Sequence, residues 1–442
     1  MSVLNNFTDD FLQAAKEAHT YRSMRHICTS EASHVEIAGP AQTATKIGAT
    51  SDTKSVRNVL LLASNSYLDL CNEPSLKQAA AEAVLKWGTG SGGARLTTGN
   101  KTPHEELEKT LANFKGEEAA ITFGTGYMAN VGTVSALCSK QVRRGKDPAT
   151  AIVSECIVFS DELNHASIID GIRLSKAKCY VYKHNDMVDL QRVIDKVRTE
   201  HSTKNSSSEQ PAATRYLIVT DAVFSMDGDL ANLPELQKIA KANNCLLMID
   251  EAHSTGVLGE TGRGLAEHFN DKGIPCDHAD VTLGTLSKSI GCEGGFVVGK
   301  QNLIDFLRNK ARSFIFSTAM SPAMAQAAAN NLKFIEQHPE RVQQLQENVK
   351  FFCDALVKAG AVPTSSRLAE NQESAIVPIV IGDEAAALRA SAALQEKGIL
   401  IPAIRYPTVA KGQARLRASL MASHTKEDLQ YAANCIAEIL KS

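Results

Sequence analysis

The sequence lacks three features that mark other classes of protein. No apolar run approaches the ~20 residues that cross a bilayer, no long Lys/Arg block accompanies the net charge of −2, and no two cysteines have Cys-x-x-Cys spacing. Without a basic block there is no electrostatic footprint for nucleic acid or for an anionic membrane. Without paired cysteines there is no zinc module. Small polar substrates are therefore the expected partners.

The ten cysteines are scattered, and several lie in apolar runs, such as Cys245 in NNCLLMID. A small buried thiol is the ordinary interpretation of such a position, and it favours a reducing compartment. The opening segment MSVLNNFTDDFLQ has early acidic residues and no apolar core of a leader peptide. We therefore expect a soluble cytoplasmic protein that is not processed.

Short apolar runs alternate with helical stretches from Val59 onward. The runs are AAITF, ECIVFS, CYVYK, YLIVTD, CLLMID, VTLGT and GFVVG. This rhythm predicts an α/β domain with a mainly parallel sheet between helices. After about Ser317, long helices and then VPIVIG, LIPAI and RLRASL predict a smaller α+β domain. The predicted division is an N-terminal helical or extended segment (1–58), a large domain (59–317) and a small C-terminal domain (318–442).

A lysine, an aspartate and a histidine follow predicted strands, at the sheet edge where such folds bind ligands. Lys288 lies in VTLGTLSKSIG; most lysines in such positions are solvated, so its partners decide its role. Asp250 ends the apolar CLLMID, and His253 follows. A buried carboxylate needs a cationic partner, which a protonated pyridine nitrogen would supply. The alternative is a helix-capping aspartate beside an incidental histidine.

The segment AAITFGTGYMANVG predicts a strand, a glycine turn and a helix, which aims free N–H groups at an anion. Gly124, Gly126 and Ala129 also satisfy the dinucleotide pattern G-x-G-x-x-A. No acidic residue ends a strand about twenty residues later, so a single phosphate is the better-supported ligand. His165 in DELNHASI can stack on a planar cofactor or cap the following helix.

Three other polar side chains are candidates for binding. Ser225 and Thr285 offer hydroxyl groups near strand ends, where hydroxyls usually cap turns. Arg405 in LIPAIRYPTV follows an apolar run of the predicted small domain. Its guanidinium can hold a substrate carboxylate through two parallel hydrogen bonds, although surface arginines are far more frequent than such clamps.

These motifs resemble those of the α-oxoamine synthases, a branch of the fold-type I enzymes that use pyridoxal 5′-phosphate (PLP). The resemblance covers nearly the whole chain and rests on SNSYLDL, GSGGARLTTGN, HEELEKTLANFKG, FGTGYMAN, LNHASIIDG, VFSMDGD, IDEAHSTGVLGETGRG, TLGTLSKSIG and RYPTVAKGQARLR, in the order of that family. It implies a fold-type I PLP-dependent transferase that condenses an amino acid with an acyl-CoA thioester. The products would be an α-aminoketone, carbon dioxide and coenzyme A.

The resemblance also implies roles for individual residues. Lys288 would carry PLP as a Schiff base and act as the base, Asp250 would hold the pyridine nitrogen, His253 would lie near the ring oxygen, and His165 would stack on the ring. Other cofactor contacts would be Gly126, Tyr127, Ser225, Thr285 and, across the interface of a homodimer, Ser317 and Thr318. Arg405 would bind the amino-acid carboxylate, and the other substrate contacts would be Thr408, Arg22 and Asn65.

Within the family, IPAIRYPTVAKGQARLR and FGTGYMANVG most resemble the 8-amino-7-oxononanoate synthases, which join alanine to a pimeloyl thioester in biotin biosynthesis. TLSKSIG resembles serine palmitoyltransferase, whereas LNHASIIDGIRLSKAK and KGQAR resemble glycine C-acetyltransferase. Asp69 replaces a glycine of the family, and Ala94 occupies a position where serine is frequent. The alternatives are another acyl chain, transamination, and a non-catalytic supporting subunit, against which the retained Lys288 argues.

Overall fold

The computed structural model describes residues 3–17, 21, 24–38, 56–143, 152–205, 213–362 and 372–441. The strands are β1 (His34–Ile37), β2 (Arg57–Leu61), β3 (Ala119–Phe123), β4 (Gln141–Arg143), β5 (Ile152–Asp161), β6 (Lys178–Tyr182), β7 (Ala213–Asp221), β8 (Leu246–Asp250), β9 (Val281–Thr285), β10 (Gly295–Gly299), β11 (Ile376–Gly382), β12 (Ile399–Leu400), β13 (Ala403–Ile404) and β14 (Ala414–Ser419). The α-helices are α1 (Val3–Glu17), α2 (Pro74–Trp87), α3 (Thr102–Lys115), α4 (Gly126–Cys138), α5 (Ala166–Ser175), α6 (Met187–Asn205), α7 (Leu233–Ala242), α8 (Leu265–Asp271), α9 (Gln301–Lys310), α10 (Arg312–Ile315), α11 (Pro322–Gln337), α12 (Glu340–Ala359), α13 (Glu384–Glu396) and α14 (Lys426–Lys441).

The predicted mainly parallel sheet is confirmed. Its strand order is β3-β10-β9-β8-β7-β5, and β4 and β6 both pair with β5. Strands β9, β8, β7, β5 and β6 run parallel to one another, while β3, β10 and β4 pair antiparallel with their neighbours. The carboxyl ends of the parallel strands therefore meet at one edge, where such sheets bind ligands.

Helices cover both faces of this sheet because its central strands are apolar on both faces. On β5, Ile157 and Phe159 pack into one hydrophobic core, while Cys156 and Val158 pack into the other. The first core is completed by side chains of α3, α6, α7 and α11, and the second by side chains of α4, α5 and α9. The two cores fix the strand ends, so side chains that follow the strands are held in defined positions.

The C-terminal part of the chain forms an antiparallel sheet of order β11-β14-β13. LIPAI, predicted as one strand, is divided into β12 and β13. Pro402 lies between them, and a proline cannot donate to a strand ladder. Strand β2 spans the predicted boundary at residue 58 and pairs in parallel with β12. The division of the chain into three segments stays a prediction.

Asp69, the residue that replaces a family glycine, has a φ of 54°. Glycine adopts this left-handed conformation without steric cost, whereas aspartate tolerates it when its short side chain bonds locally. Here Oδ1 of Asp69 accepts a hydrogen bond from Nδ2 of Asn72 at 2.8 Å. The substitution therefore keeps the turn. In the described part of the chain, none of the helices combines the length and the apolar character that a membrane span requires.

Candidate active site

A cavity of about 210 Å³ lies at the carboxyl edge of the large sheet. Its walls are the ends of β7, β8 and β9 together with the first turns of α4 and α5. Eight of the residues singled out in the sequence line it: Gly126, Tyr127, His165, Ser225, Asp250, His253, Thr285 and Lys288. The fold thus brings the predicted lysine, acid, histidines and glycine turn into one site.

The amine of Lys288 is in contact with an imidazole. Its Nζ atom lies 2.7 Å from Nε2 of His253, which is itself buried. Burial lowers the pKa of Lys288 to about 8, against the opposing influence of Asp250 and Asp221. Burial, reinforced by the positive charge of Lys288, also holds the pKa of His253 well below its usual range. The imidazole is therefore neutral, and the amine is partly neutral near pH 8.

Behind His253 lies a chain of polar side chains. Its Nδ1 lies 2.7 Å from the hydroxyl of Tyr67, which donates to Oδ1 of Asn65 at 3.1 Å. The same Oδ1 accepts a hydrogen bond from Nη2 of Arg417 at 3.2 Å, and Nε of Arg417 donates to the carbonyl oxygen of Ser225. Tyr67 is fully buried, and burial raises its pKa to about 12. This chain connects the lysine to a buried guanidinium.

Asp250 is buried at the end of β8, and each of its two carboxylate oxygens accepts one hydrogen bond. Its Oδ2 accepts from Nδ2 of Asn130 at 2.6 Å, and its Oδ1 accepts from the backbone N–H of Ala252 at 2.9 Å. Oδ1 of Asn130 is buried without a hydrogen-bond partner among the described residues. A buried carboxylate and an unsatisfied buried oxygen are both costly unless a donor or cation occupies the cavity.

His165 lines the cavity and also caps α5. The cap considered from the sequence is thus present, and stacking on a cofactor stays a prediction. Nδ1 of His165 lies 2.7 Å from Oγ of Ser167. Its backbone N–H donates to Oδ2 of Asp221, at the end of β7, at 2.7 Å. Burial, reinforced by the negative charge of Asp250, holds the pKa of Asp221 well above its usual range. Partial burial lowers the pKa of His165.

The first turn of α4 has the character of an anion site. Thr125 caps the helix by accepting from the backbone N–H of Met128 at 3.1 Å, and the N–H groups of Gly126 and Tyr127 have no acceptor within the helix. A Cβ atom at Gly126 would come within 3.1 Å of the Thr285 side chain, so a larger residue here would have to displace that side chain. The hydroxyl of Thr285 donates to the carbonyl oxygen of Gly294 at 2.9 Å.

The residues of this cavity fit PLP. The start of α4 matches a phosphate, buried Asp250 matches a pyridine nitrogen that carries a proton, and the amine of Lys288 matches an aldehyde. The unsatisfied oxygen of Asn130 beside Asp250 agrees with a cofactor that completes the site.

Several predicted residues lie elsewhere. Arg405 and Thr408 line a second cavity of about 820 Å³, together with residues of α1 and the segment 403–407. Thr318 pairs with Ala94 in an isolated antiparallel bridge, outside the lining of the lysine cavity. Arg22 lies outside the described residues. The sequence interpretation missed Tyr67, Asn130, Ser167, Asp221 and Arg417. Of these, only Asp221 gave a signal, since it ends YLIVTD as Asp250 ends CLLMID.

Known proteins share this sequence and fold. The 8-amino-7-oxononanoate synthase of Lysinibacillus sphaericus is 45% identical over 385 residues, which cover 87% of this chain and 90% of that protein. A serine palmitoyltransferase variant from S. paucimobilis with bound PLP–myriocin aldimine superposes with a TM-score of 0.80 at 26% identity, covering 99% of this chain and 98% of that one. The crystal structure of 8-amino-7-oxononanoate synthase from Francisella tularensis gives a TM-score of 0.68 at 30% identity, covering 87% of this chain and 98% of that one.

The sequence model of the aminotransferase class I and II family matches residues 57–436. These findings confirm the resemblance inferred from the motifs, the fold-type I architecture and the dependence on PLP. The chain belongs to the aminotransferase class I and II family.

Proposed function

We propose that the protein is an 8-amino-7-oxononanoate synthase, which condenses alanine with a pimeloyl thioester and releases carbon dioxide and coenzyme A. The observation that carries this proposal is the cavity in which Lys288, His253 and Asp250 meet, in a chain 45% identical to an enzyme of that name. PLP-dependent carbon–carbon bond formation requires an amine that can be neutral, a buried carboxylate for the pyridine nitrogen and a helix start for the phosphate, and the cavity contains all three.

The residues that would hold PLP follow from the cavity. The N–H groups of Gly126 and Tyr127 would bind its phosphate, Asp250 its pyridine nitrogen, and His253 its ring oxygen, with His165 against the ring. Ser225 and Thr285 would add hydroxyl contacts. When bound, PLP supplies an electron sink for the carbon atom next to the amino group of the substrate.

The protein's own part in the reaction is the handling of protons and charge. We assign removal of the α-proton of alanine to Nζ of Lys288, because its lowered pKa leaves part of the amine neutral near pH 8. His165 is our candidate for the return of a proton to the product carbon. At neutral pH its lowered pKa favours the neutral ring, which suits stacking on the cofactor. To return a proton to the product carbon, the ring must first take one up.

Two arginines are candidates for binding the carboxylate of the amino acid. Arg405, the residue proposed from the sequence, lines the second cavity rather than that of Lys288. Arg417 does not line the cavity of Lys288 either, but it is buried, contacts Asn65 and is close enough to lower the pKa of Lys288 by its charge. We therefore propose that Arg417 and Asn65 hold the amino-acid carboxylate, and that Arg405 and Thr408 contact the second substrate.

The second cavity has the properties expected of an acyl-chain site. Its lining includes the apolar side chains of Phe11 and Leu12 from α1 and of Ile404 and Pro407, and Arg405 adds a positive charge. A pimeloyl chain combines methylene groups with a terminal carboxylate, and both parts have partners in such a lining. This supports a pimeloyl thioester over an acetyl or a palmitoyl one.

We also propose that the protein is a cytoplasmic homodimer with Thr318 at the subunit interface. Leu96 and Phe316 are exposed large apolar residues, and each lies two positions from a residue of the Ala94–Thr318 bridge. Burial of such residues against a second subunit would stabilise a dimer. All ten cysteines are free, which agrees with a reducing compartment.

Alanine labelled with ¹³C in its carboxyl group tests the reaction type. We expect labelled carbon dioxide to be released only when pimeloyl-CoA and the PLP-loaded protein are both present, with one free thiol per carbon dioxide. Conversion of alanine to pyruvate without release of carbon dioxide would establish transamination instead.

A further inference from the structure

Four hydrogen bonds run from Lys288 to Arg417 through the interior. The contacts are Lys288 Nζ to His253 Nε2 at 2.7 Å, His253 Nδ1 to the Tyr67 hydroxyl at 2.7 Å, and that hydroxyl to Asn65 Oδ1 at 3.1 Å. Asn65 Oδ1 then accepts from Arg417 Nη2 at 3.2 Å. His253, Tyr67 and Arg417 are all buried, so the central bonds of this chain are shielded from solvent.

The hydrogens available in the chain permit two arrangements. The Tyr67 hydroxyl has one hydrogen, and a neutral imidazole has one hydrogen for its two nitrogens. If Lys288 is protonated, it donates to Nε2 of His253; Nδ1–H then donates to Tyr67, and Tyr67 donates to Asn65. If Lys288 is neutral, Nε2–H of His253 can donate to Nζ, and the Tyr67 hydroxyl turns to donate to Nδ1.

Both arrangements leave His253 uncharged. A charged imidazolium is disfavoured here, because burial and the positive charges of Lys288 and Arg417 hold the pKa of His253 well below its usual range. A neutral amine can donate to Nε2 or accept from it, whereas a protonated amine can only donate. The Nε2–H tautomer of His253 is therefore compatible only with neutral Lys288, and the Nδ1–H tautomer is the one that bonds to protonated Lys288. The hydroxyl of Tyr67 is the group that can serve both tautomers, first as acceptor and then as donor.

We propose that Tyr67 is a positioning residue, whose hydroxyl rotates so that His253 can bond to Lys288 both before and after the amine changes its protonation state. The proposal rests on the proposed function, in which this amine takes the α-proton of the amino acid. Asn65, held by Arg417, is the acceptor that completes the arrangement with protonated Lys288.

The charges around the amine are contributed by several elements. The titratable and charged groups that face Lys288 are Asp250 from β8, Asp221 from β7, Arg417 from β14, and the rings of His253 and His165. These charges and the burial of the amine set the pH range in which it titrates. Tyr67 adds a separate influence, since its hydroxyl decides which hydrogen-bond arrangement is complete.

Tyr67→Phe removes the hydroxyl and keeps the ring, which isolates this influence. A buried N–H without an acceptor is tolerated less well than a buried acceptor without a donor. The variant therefore keeps the hydrogen of His253 on Nε2, where it can bond only to a neutral amine. We expect the titration of Lys288 to move to lower pH by about half a unit to one unit.

The measurement is the rate at which cofactor-free protein captures PLP on Lys288, followed by absorbance from pH 6 to 10. Only a neutral amine attacks the aldehyde, so the midpoint of the rate profile reports the titration of Lys288. Tyr216→Phe is the matched control: its ring stacks on that of Phe159 in the amino-terminal half of β7, away from the cavity. It should retain the profile of the unmodified protein.

A midpoint in Tyr67→Phe that equals that of Tyr216→Phe, or lies above it, overturns the proposal. If Tyr67→Phe does not fold, Asn65→Ala replaces it, because loss of the acceptor of Tyr67 shifts the profile in the same direction. The assay needs neither substrate, so a wrong choice of amino acid or acyl chain cannot produce either result. Capture at an unchanged rate by Lys288→Ala would instead overturn the proposed function itself.

Discussion

Nζ of Lys288 lies 2.7 Å from Nε2 of His253, and both groups are cationic when protonated. Two cations at this distance in a buried site repel each other strongly, so the protein keeps at least one of them neutral. The imidazole is the group that stays neutral, since its pKa is held well below the usual range. The amine is left with a pKa of about 8 and is poised to exchange protons near neutral pH.

The first prediction concerns the cost of holding this amine in the cavity. Lys288→Met should abolish turnover and, at pH 7, raise the free energy of unfolding of the cofactor-free protein by about 1–3 kcal/mol. The folded pKa of Lys288 lies below that of the unfolded chain, so the unfolded chain binds more protons between pH 8 and 10.5. The advantage of the variant should therefore shrink as the pH rises through this range. Urea unfolding at pH 7 and pH 10 measures this difference in stability. A variant less stable than the unmodified protein at pH 7 would contradict a lowered pKa of Lys288 in the folded protein.

The second prediction separates the two arginines. Arg417→Ala should raise the KM for alanine by an amount equivalent to roughly 2–5 kcal/mol, because it leaves a bound carboxylate without its partner. Arg405→Ala should instead raise the KM for the acyl thioester and leave the KM for alanine nearly unchanged. Steady-state kinetics with each substrate varied in turn distinguishes the two. A large rise in the KM for alanine in Arg405→Ala, with no such rise in Arg417→Ala, would show that Arg405 binds the amino-acid carboxylate, as the sequence predicts.

A buried ion pair behind the site provides a third prediction. Nζ of Lys115 contacts Oε2 of Glu251 and the carbonyl oxygen of Arg263, and Oε1 of Glu251 accepts from the backbone N–H of Leu265 at 2.8 Å. The pair ties down the loop that carries His253. Lys115→Met leaves a buried carboxylate unpaired and should cost about 3–5 kcal/mol of stability.

The control for this change is the double variant Lys115→Met with Glu251→Leu, which removes both charges. It should recover much of the lost stability, since a buried pair replaced by apolar groups is often neutral in stability. Denaturant midpoints of the two variants give the comparison. Equal losses in the single and the double variant would mean that shape, rather than the unpaired charge, sets the cost.

The fourth prediction is a pH dependence of stability at His184. Burial opposes the charge of this ring, but hydrogen bonds to Asp161 at 3.0 Å and to Asp229 at 2.7 Å prevail and raise its pKa to about 10. Because the folded pKa exceeds the unfolded one, the stabilisation is complete below about pH 6.5 and is lost as the pH rises through 10.

His184→Gln should therefore be less stable than the unmodified protein by about 2–4 kcal/mol at pH 6, and the difference should fall toward zero near pH 10.5. Thermal or urea unfolding at several pH values measures the difference. A difference that stays constant with pH would show that the charge of His184 does not contribute.

Much of this site could be predicted because its residues follow directly after apolar runs. Asp250 and Thr285 end such runs, Lys288 follows one, and the fold gathers their ends at one edge. Tyr67 could not be found in this way, since its contact with His253 joins positions 186 residues apart and depends on tertiary packing. The same holds for Asn130, whose amide reaches Asp250 across 120 positions.

The C-terminal part of the chain is harder to predict from local patterns. LIPAI has the apolar composition of one strand, but Pro402 divides it. Arg417 alternates with apolar residues in RLRASL, a pattern that usually indicates a solvent-exposed side chain on a half-buried strand. In the structure this side chain is buried against Asn65 and Ser225. Only these tertiary contacts of β14 reveal a role for Arg417.

The central claim is tested most directly by the release of free coenzyme A thiol from the PLP-loaded protein, with alanine, glycine and serine each paired with acetyl-, succinyl-, pimeloyl- and palmitoyl-CoA. The proposed function predicts that alanine with pimeloyl-CoA dominates all other pairs and that Lys288→Ala abolishes the signal. Dominance of another pair would contradict the assignment to 8-amino-7-oxononanoate synthesis. Silence of every pair, with PLP bound, would contradict acyl transfer from these thioesters altogether.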